Sequence, residues 1–142
     1  FKKITCVDGY AKDLKEAQTK KSFAQEREFI LEDVRNINGQ YDVVFMFDVI
    51  EHLTKEDGLK LLDKLDTMAK KIVLFLPLEP DDFARKNPDI HNHLQEHISQ
   101  WKEHELLSRG YKTEVLSDIH SERIEGTDKY ITFGALWAVK NI

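Results

Sequence analysis

Three acids stand where short apolar runs end. Asp8 follows Ile4-Thr5-Cys6-Val7, Asp33 closes Phe29-Ile30-Leu31-Glu32, and Asp48 ends Tyr41-Asp42-Val43-Val44-Phe45-Met46-Phe47. A carboxylate at such a place can accept two hydrogen bonds from a vicinal diol, or one from an exocyclic amine. Asp at a strand exit is also ordinary turn chemistry, so any one of them argues little. Three in succession point to a ligand at one end of a sheet. Just past Asp48 come Glu51 and His52, and a later polar stretch holds His91, His93 and His97. Imidazole titrates near neutrality, so His52 is a candidate general base. His-x-His-x-x-x-His can also offer three nitrogens to zinc, with His93 and His97 on one face if the segment is helical. Nothing in the sequence pins those three rings together. A solvated loop is the plainer reading, and no metal is assigned.

The elements that must position these residues follow from the hydropathy pattern. Ile4–Val7 and Phe29–Leu31 are brief β-rich runs, the first closed by the turn signal Asp8-Gly9. Between them Ala11–Lys21 sets Leu14 and Ala17 among charges, which suits a short exposed helix. Tyr41–Phe47 and Ile72–Leu76 are apolar on both alternating faces, as strands of a parallel sheet buried on both sides are. Thr54 with Asp57 caps a helix whose stripe is Leu59, Leu61, Leu62, Leu65 and Met68. Pro77 reads as a stop, and 79–97 as a long irregular segment of the kind that serves function. Ser99 is expected to cap a helix reaching Arg109 with Gly110 as its stop, before an antiparallel pair at Tyr111–Leu116 and Tyr130–Val139. Trp101 on the inner face of that helix and Trp137 in the last strand are both expected in the core. Alternating strands and helices mean an α/β domain with a largely parallel sheet.

Composition sets the outer limits. The chain has 142 residues, 33% charged and 41% hydrophobic, enough for one domain spanning 1–142 and too apolar for a disordered tail. With 26 acids against 21 Lys and Arg, a broad nucleic-acid surface is not expected. No run approaches the roughly 20 apolar residues of a membrane span. Cys6, the only cysteine, suits a reducing cytoplasmic setting.

Together these residues resemble a family. Tyr41-Asp42-Val43-Val44 followed by Phe47-Asp48-Val49-Ile50-Glu51-His52-Leu53 is similar to the fourth-strand motif of class I S-adenosylmethionine-dependent methyltransferases, closest to their small-molecule branch. Val7-Asp8 resembles the end of that family's second strand and Glu32-Asp33-Val34 the end of its third. His97-Ile98-Ser99 with Trp101, then Glu105-Leu106-Leu107 and Gly110-Tyr111, resembles the stretch before its sixth. The resemblance implies a Rossmann-like α/β fold with helices on both faces of a mostly parallel sheet. It implies S-adenosylmethionine as cofactor: Asp8 and Gly9 at the ribose hydroxyls, Asp33 and Val34 at the adenine, Phe47 and Asp48 along the methionine portion. It also implies an acceptor site near Glu51 and His52, covered by the loop carrying His91, His93 and His97.

One departure matters. The family's first strand ends in a G-x-G-x-G turn, yet no two of the six glycines here lie within six residues of each other. The first strand and its loop are therefore expected to be missing, and a sheet so shortened is expected to gape or to recruit a strand from elsewhere, such as a second copy in a homo-oligomer. The implied function is methyl transfer to an unidentified small molecule. The alternative is a non-catalytic methyltransferase-like module acting through a partner. A nicotinamide-dependent Rossmann protein is disfavoured by the Asp48–Leu53 run. For Glu51 and His52 the plainer alternative is that they open the next helix and hold its loop.

Overall fold

The computed structural model describes residues 1–80, 93–124 and 127–142. Its order is β1 (Lys3–Asp8), α1 (Ala11–Thr19), β2 (Glu26–Leu31), β3 (Val44–Phe47), α2 (Lys55–Met68), β4 (Lys71–Leu78), α3 (Glu103–Ser108), β5 (Lys112–Arg123) and β6 (Tyr130–Asn141). The expected α/β architecture is present, with its strands in two hydrogen-bonded sets. β1 and β2 pair in parallel as one, and β3-β4-β6-β5 form the other. In the larger set β3 and β4 are parallel, while β6 runs antiparallel to both β4 and β5. No helix among the described residues is long and apolar enough to cross a membrane.

The core lies between the four-stranded sheet and α2. Thr54 Oγ1 accepts the Asp57 N–H at 3.1 Å and so starts α2 where the sequence places it. Leu61, Leu62, Leu65 and Met68 are buried on one stripe of that helix. Leu61, Leu62 and Leu65 join the alternate residues Ile72, Leu74 and Leu76 of β4, and Leu136 and Ala138 of β6, in one cluster. Leu106 of α3 enters the same cluster. The other face of this sheet carries an aromatic row. The Phe47 ring lies 5.8 Å from Phe45, 6.4 Å from Phe75 and 5.6 Å from Trp137, between centroids. Trp137 is thus only partly buried, where the sequence puts it in the core.

Two boundaries differ from expectation for identifiable reasons. β4 runs through Pro77 to Leu78. The Phe75 carbonyl accepts from Asp48 N–H on the β3 side, so Pro77, two residues on, turns its missing N–H to that same side, beyond the end of β3. The last helix begins at Glu103 rather than Ser99. Lys102 is its N-cap, and the Glu105 carboxylate reaches back to the Lys102 N–H at 2.8 Å. Trp101 therefore precedes the helix, although it is as buried as expected. It packs on α2 at Gly58, where a Cβ would come within 2.6 Å of the indole Cζ2. Gly110, at φ +84°, ends the helix as anticipated.

Candidate active site

The polar residues gather at the carboxyl ends of β3 and β4. Asp48 leaves β3 with φ +51°, a left-handed turn that Asp tolerates better than a branched residue. The chain then enters a single 3-10 turn at Ile50–His52, not the first turn of α2. Ile50 and Glu51 are buried there, and their carbonyls become anchors. Glu51 O accepts the N–H groups of Ile98 and Ser99 at 2.9 and 3.1 Å, and Ile50 O accepts the Ser99 hydroxyl at 3.2 Å. Trp101 Nε1 donates to Ser99 Oγ at 3.0 Å and holds that hydroxyl in place. These bonds lay the 97–101 segment along the exit of β3.

His97 is thereby brought to His52, with ring centroids 4.7 Å apart and planes nearly perpendicular. Each ring is oriented at Nδ1. His52 Nδ1 lies 3.0 Å from Glu96 O, and a carbonyl can only accept, so the proton sits on Nδ1. His97 Nδ1 lies 2.7 Å from Glu79 Oε1, with both side chains at most 5% exposed. The Gln100 amide donates to Pro80 O at 2.8 Å, so the exit of β4 is tied to the same segment.

Glu51 completes the group. One donor atom each from Glu51, His52 and His97 all lie within 4.8 Å of one another. Glu51 is 2% exposed, and neither carboxyl oxygen has a hydrogen-bond partner. Burial pushes its carboxyl up to about 8, and the neighbouring Asp48 and Glu79 carboxylates add to the rise.

Of the other expected site residues, Asp8, Gly9, Asp33 and Val34 lie on the smaller sheet or beside it. Asp8 ends β1, and its Oδ1 accepts the Tyr10 N–H at 2.7 Å. Among the described residues its Oδ2 has no hydrogen-bond partner. Gly9 is exposed, and a Cβ there would meet Leu94 Cδ1 at 3.0 Å, so the turn at His93–Gln95 reaches the end of β1. Asp33 lies two residues past β2, where Arg35 occupies it. Nε meets both oxygens at 2.9 and 3.0 Å, Nη2 meets Oδ2 at 2.5 Å, and the backbone N–H adds a fourth bond. The Arg35 guanidinium holds the Asp33 carboxyl below its ordinary range. Val34 is partly buried against the core, and Phe47 is half exposed at the end of β3. His91 lies outside the described residues, as does the side chain of His93. The structure thus joins His97 to Glu51 and His52, while the triplet suggested by spacing cannot be followed, since His91 and the His93 side chain lie outside the described residues.

Glu79 is the residue that sequence reasoning missed. It follows the last residue of β4, and strand-end position is the signal that singled out Asp8 and Asp48. Taking Pro77 as the stop moved that end and hid it.

The arrangement is one of acids at the carboxyl ends of parallel strands beside a buried carboxyl–imidazole group, and known proteins share its frame. Residues 1–75 match the family described as methyltransferase domain, and the chain belongs to that family. No curated protein sequence matches it. Among solved structures it is similar to magnesium protoporphyrin IX methyltransferase from Synechocystis PCC 6803, at 19% identity and TM-score 0.57, over 96% of this chain and 59% of that one. It is also similar to the small RNA methyltransferase HEN1, at 14% identity and TM-score 0.63, over 96% of this chain and 20% of that one. TehB from Haemophilus influenzae matches at 15% identity and TM-score 0.60, over 96% of this chain and 49% of that one. The chain therefore spans less than two thirds of each of these proteins, between 20% and 59%, and identities this low show a shared fold.

Proposed function

We propose that the protein transfers a methyl group from S-adenosylmethionine to a small-molecule acceptor. The observation that carries this reading is Asp8, at the end of a parallel strand in a methyltransferase-family chain, with Oδ2 open beside the exposed Gly9. The residues fit the cofactor. Asp8 offers an acceptor oxygen to a ribose diol, and Phe47 offers a half-exposed ring beside Asp48. In this reading Asp33 and Val34 meet the adenine, and Arg35 is displaced from part of the Asp33 carboxylate. When bound, S-adenosylmethionine supplies an electrophilic methyl group for in-line displacement. The chain has then to orient acceptor and cofactor, exclude water and take up a proton. His52 is the base in this reading: its Nδ1 proton is committed to Glu96 O, which puts the ring's lone pair on Nε2. Glu51 and His97 form the wall beside it, and the segment carrying His91 and His93 would cover the acceptor.

The same reading places the protein in the cytoplasm, in keeping with the free thiol of Cys6, without a membrane or nucleic-acid partner. It includes a homo-oligomer or strand exchange, since β1 and β3 each have one edge without a strand neighbour among the described residues. Calorimetry on the full-length protein tests the cofactor assignment. S-adenosylmethionine should bind, and Asp8→Ala should weaken it more than tenfold. Absence of binding, or an unaffected variant, sinks the assignment.

A further inference from the structure

Glu51, His52 and His97 bring three donors together around a buried carboxyl, with the two histidines only partly buried as whole residues. A buried carboxyl with both oxygens unpartnered normally costs about 1–3 kcal/mol, so something must compensate for it or use it. No described Lys or Arg supplies that compensation: the nearby Lys55 ammonium is engaged by Gln100 O at 2.5 Å and Glu105 Oε2 at 2.7 Å. Both imidazoles have their Nδ1 committed, one to a carbonyl and one to a carboxylate. That fixes the tautomer with the lone pair on Nε2 in each. The His97–Glu79 pair is the carboxylate–histidine arrangement that orients metal-bound imidazoles and raises their basicity. The three donors come from two segments held by backbone hydrogen bonds, so the group is preformed.

We propose that Glu51, His52 and His97 bind one divalent first-row transition-metal ion, with Glu79 and the Glu96 carbonyl orienting the two histidines. Two imidazoles and one carboxylate suit zinc, iron(II), cobalt(II) or manganese(II) better than the all-oxygen preferences of calcium or magnesium. Three protein ligands leave positions open for water or for an oxygen of the acceptor. With the ion bound, the His52 Nε2 lone pair is held by the metal, so His52 would act as the base only in the metal-free protein. The assignment does not depend on cofactor binding and is tested without S-adenosylmethionine.

The experiment is titration of chelator-stripped full-length protein with zinc by calorimetry and with cobalt(II) by visible absorption. One ion per chain is expected, with Kd tighter than ~10 μM. Glu51→Gln, His52→Ala and His97→Ala should each weaken binding at least tenfold and remove the cobalt band. Glu79→Gln, a positioning variant, should weaken it about tenfold and shift the band rather than abolish it. His120→Ala, outside the group, should bind as the parent does. Glu51→Gln keeps the shape of the side chain, so it remains informative if a histidine variant fails to fold. Absence of stoichiometric binding overturns the proposal, as does binding that survives Glu51→Gln unchanged.

Discussion

His97 Nδ1 and Glu79 Oε1 stand 2.7 Å apart, joining the exit of β4 to the segment that crosses the exit of β3. Both side chains are almost wholly withdrawn from water. Removing the acid leaves a buried imidazole N–H without a partner. Glu79→Ala is therefore expected to destabilise the protein by about 1–3 kcal/mol, with Glu79→Gln costing less because its amide oxygen still accepts. Urea unfolding of the two variants checks the order; equal losses would contradict it.

The Glu51 carboxyl gives stability a pH dependence of definite sign. In the native, chelator-treated protein it keeps its proton to about pH 8, whereas the unfolded chain releases it near 4.5. Between those values the unfolded state holds fewer protons, so this group's contribution falls as pH rises, by at most about 1.4 kcal/mol per pH unit. Below 4.5 the contribution is fully present, and above 8 it changes no further. Glu51→Gln cannot titrate. Denaturation midpoints measured from pH 5 to 8 should show the variant gaining steadily on the parent, and a constant difference would refute the assignment.

Gly58 lies inside α2, where alanine would ordinarily favour the helix by about 1 kcal/mol. Trp101 opposes that gain. A methyl group would sit 2.6 Å from its Cζ2, and the ring cannot easily retreat, with Nε1 bonded to Ser99 Oγ and the Lys55 ammonium 3.8 Å from a ring centroid. Overpacking of this kind costs about 1–3 kcal/mol, so Gly58→Ala should be net destabilising. A melting temperature equal to or above the parent's would show that the indole moves.

Arg35 and Asp8 are expected to differ sharply in their effect on cofactor binding. The Arg35–Asp33 pair is substantially exposed, at 48% and 37%, and such pairs contribute only about 0–1 kcal/mol. A ligand amine can displace it at little cost, so Arg35→Ala should change S-adenosylmethionine affinity by less than about fivefold. Asp8→Ala should change it more than tenfold. Calorimetry on both variants decides, and a reversed order would move the anchoring acid from β1 to β2.

Most elements are legible in the sequence because local rules suffice for them. The leucine stripe and Thr54 cap define α2, and Gly110 marks the end of α3. The site is legible only in part. Asp48, Glu51 and His52 are neighbours in sequence, but the contact of His97 with His52 depends on hydrogen bonds from Ile98 and Ser99 to Glu51 O. No periodicity encodes that contact. Glu79 was hidden by Pro77, whose absent N–H matters only on the side where β3 has already ended. Trp137 appears as core in a linear reading, yet it falls on the sheet face opposite the α2 leucines.

The division of the strands into two hydrogen-bonded sets also has a dynamic meaning. Before Met46, Leu14 is the only buried apolar residue among those described, while the interior is built from residues after it. The β1-α1-β2 portion is therefore a separate foldon of lower opening free energy, and its amides should exchange with solvent before those of β4 and β6. Asp8 and Asp33 ride on this looser unit, and Phe47, Asp48 and Glu51 on the tighter one. A molecule gripping both would draw the two into a single cooperative unit, so ligand binding would register as slowed exchange in β1 and β2 far more than in the interior.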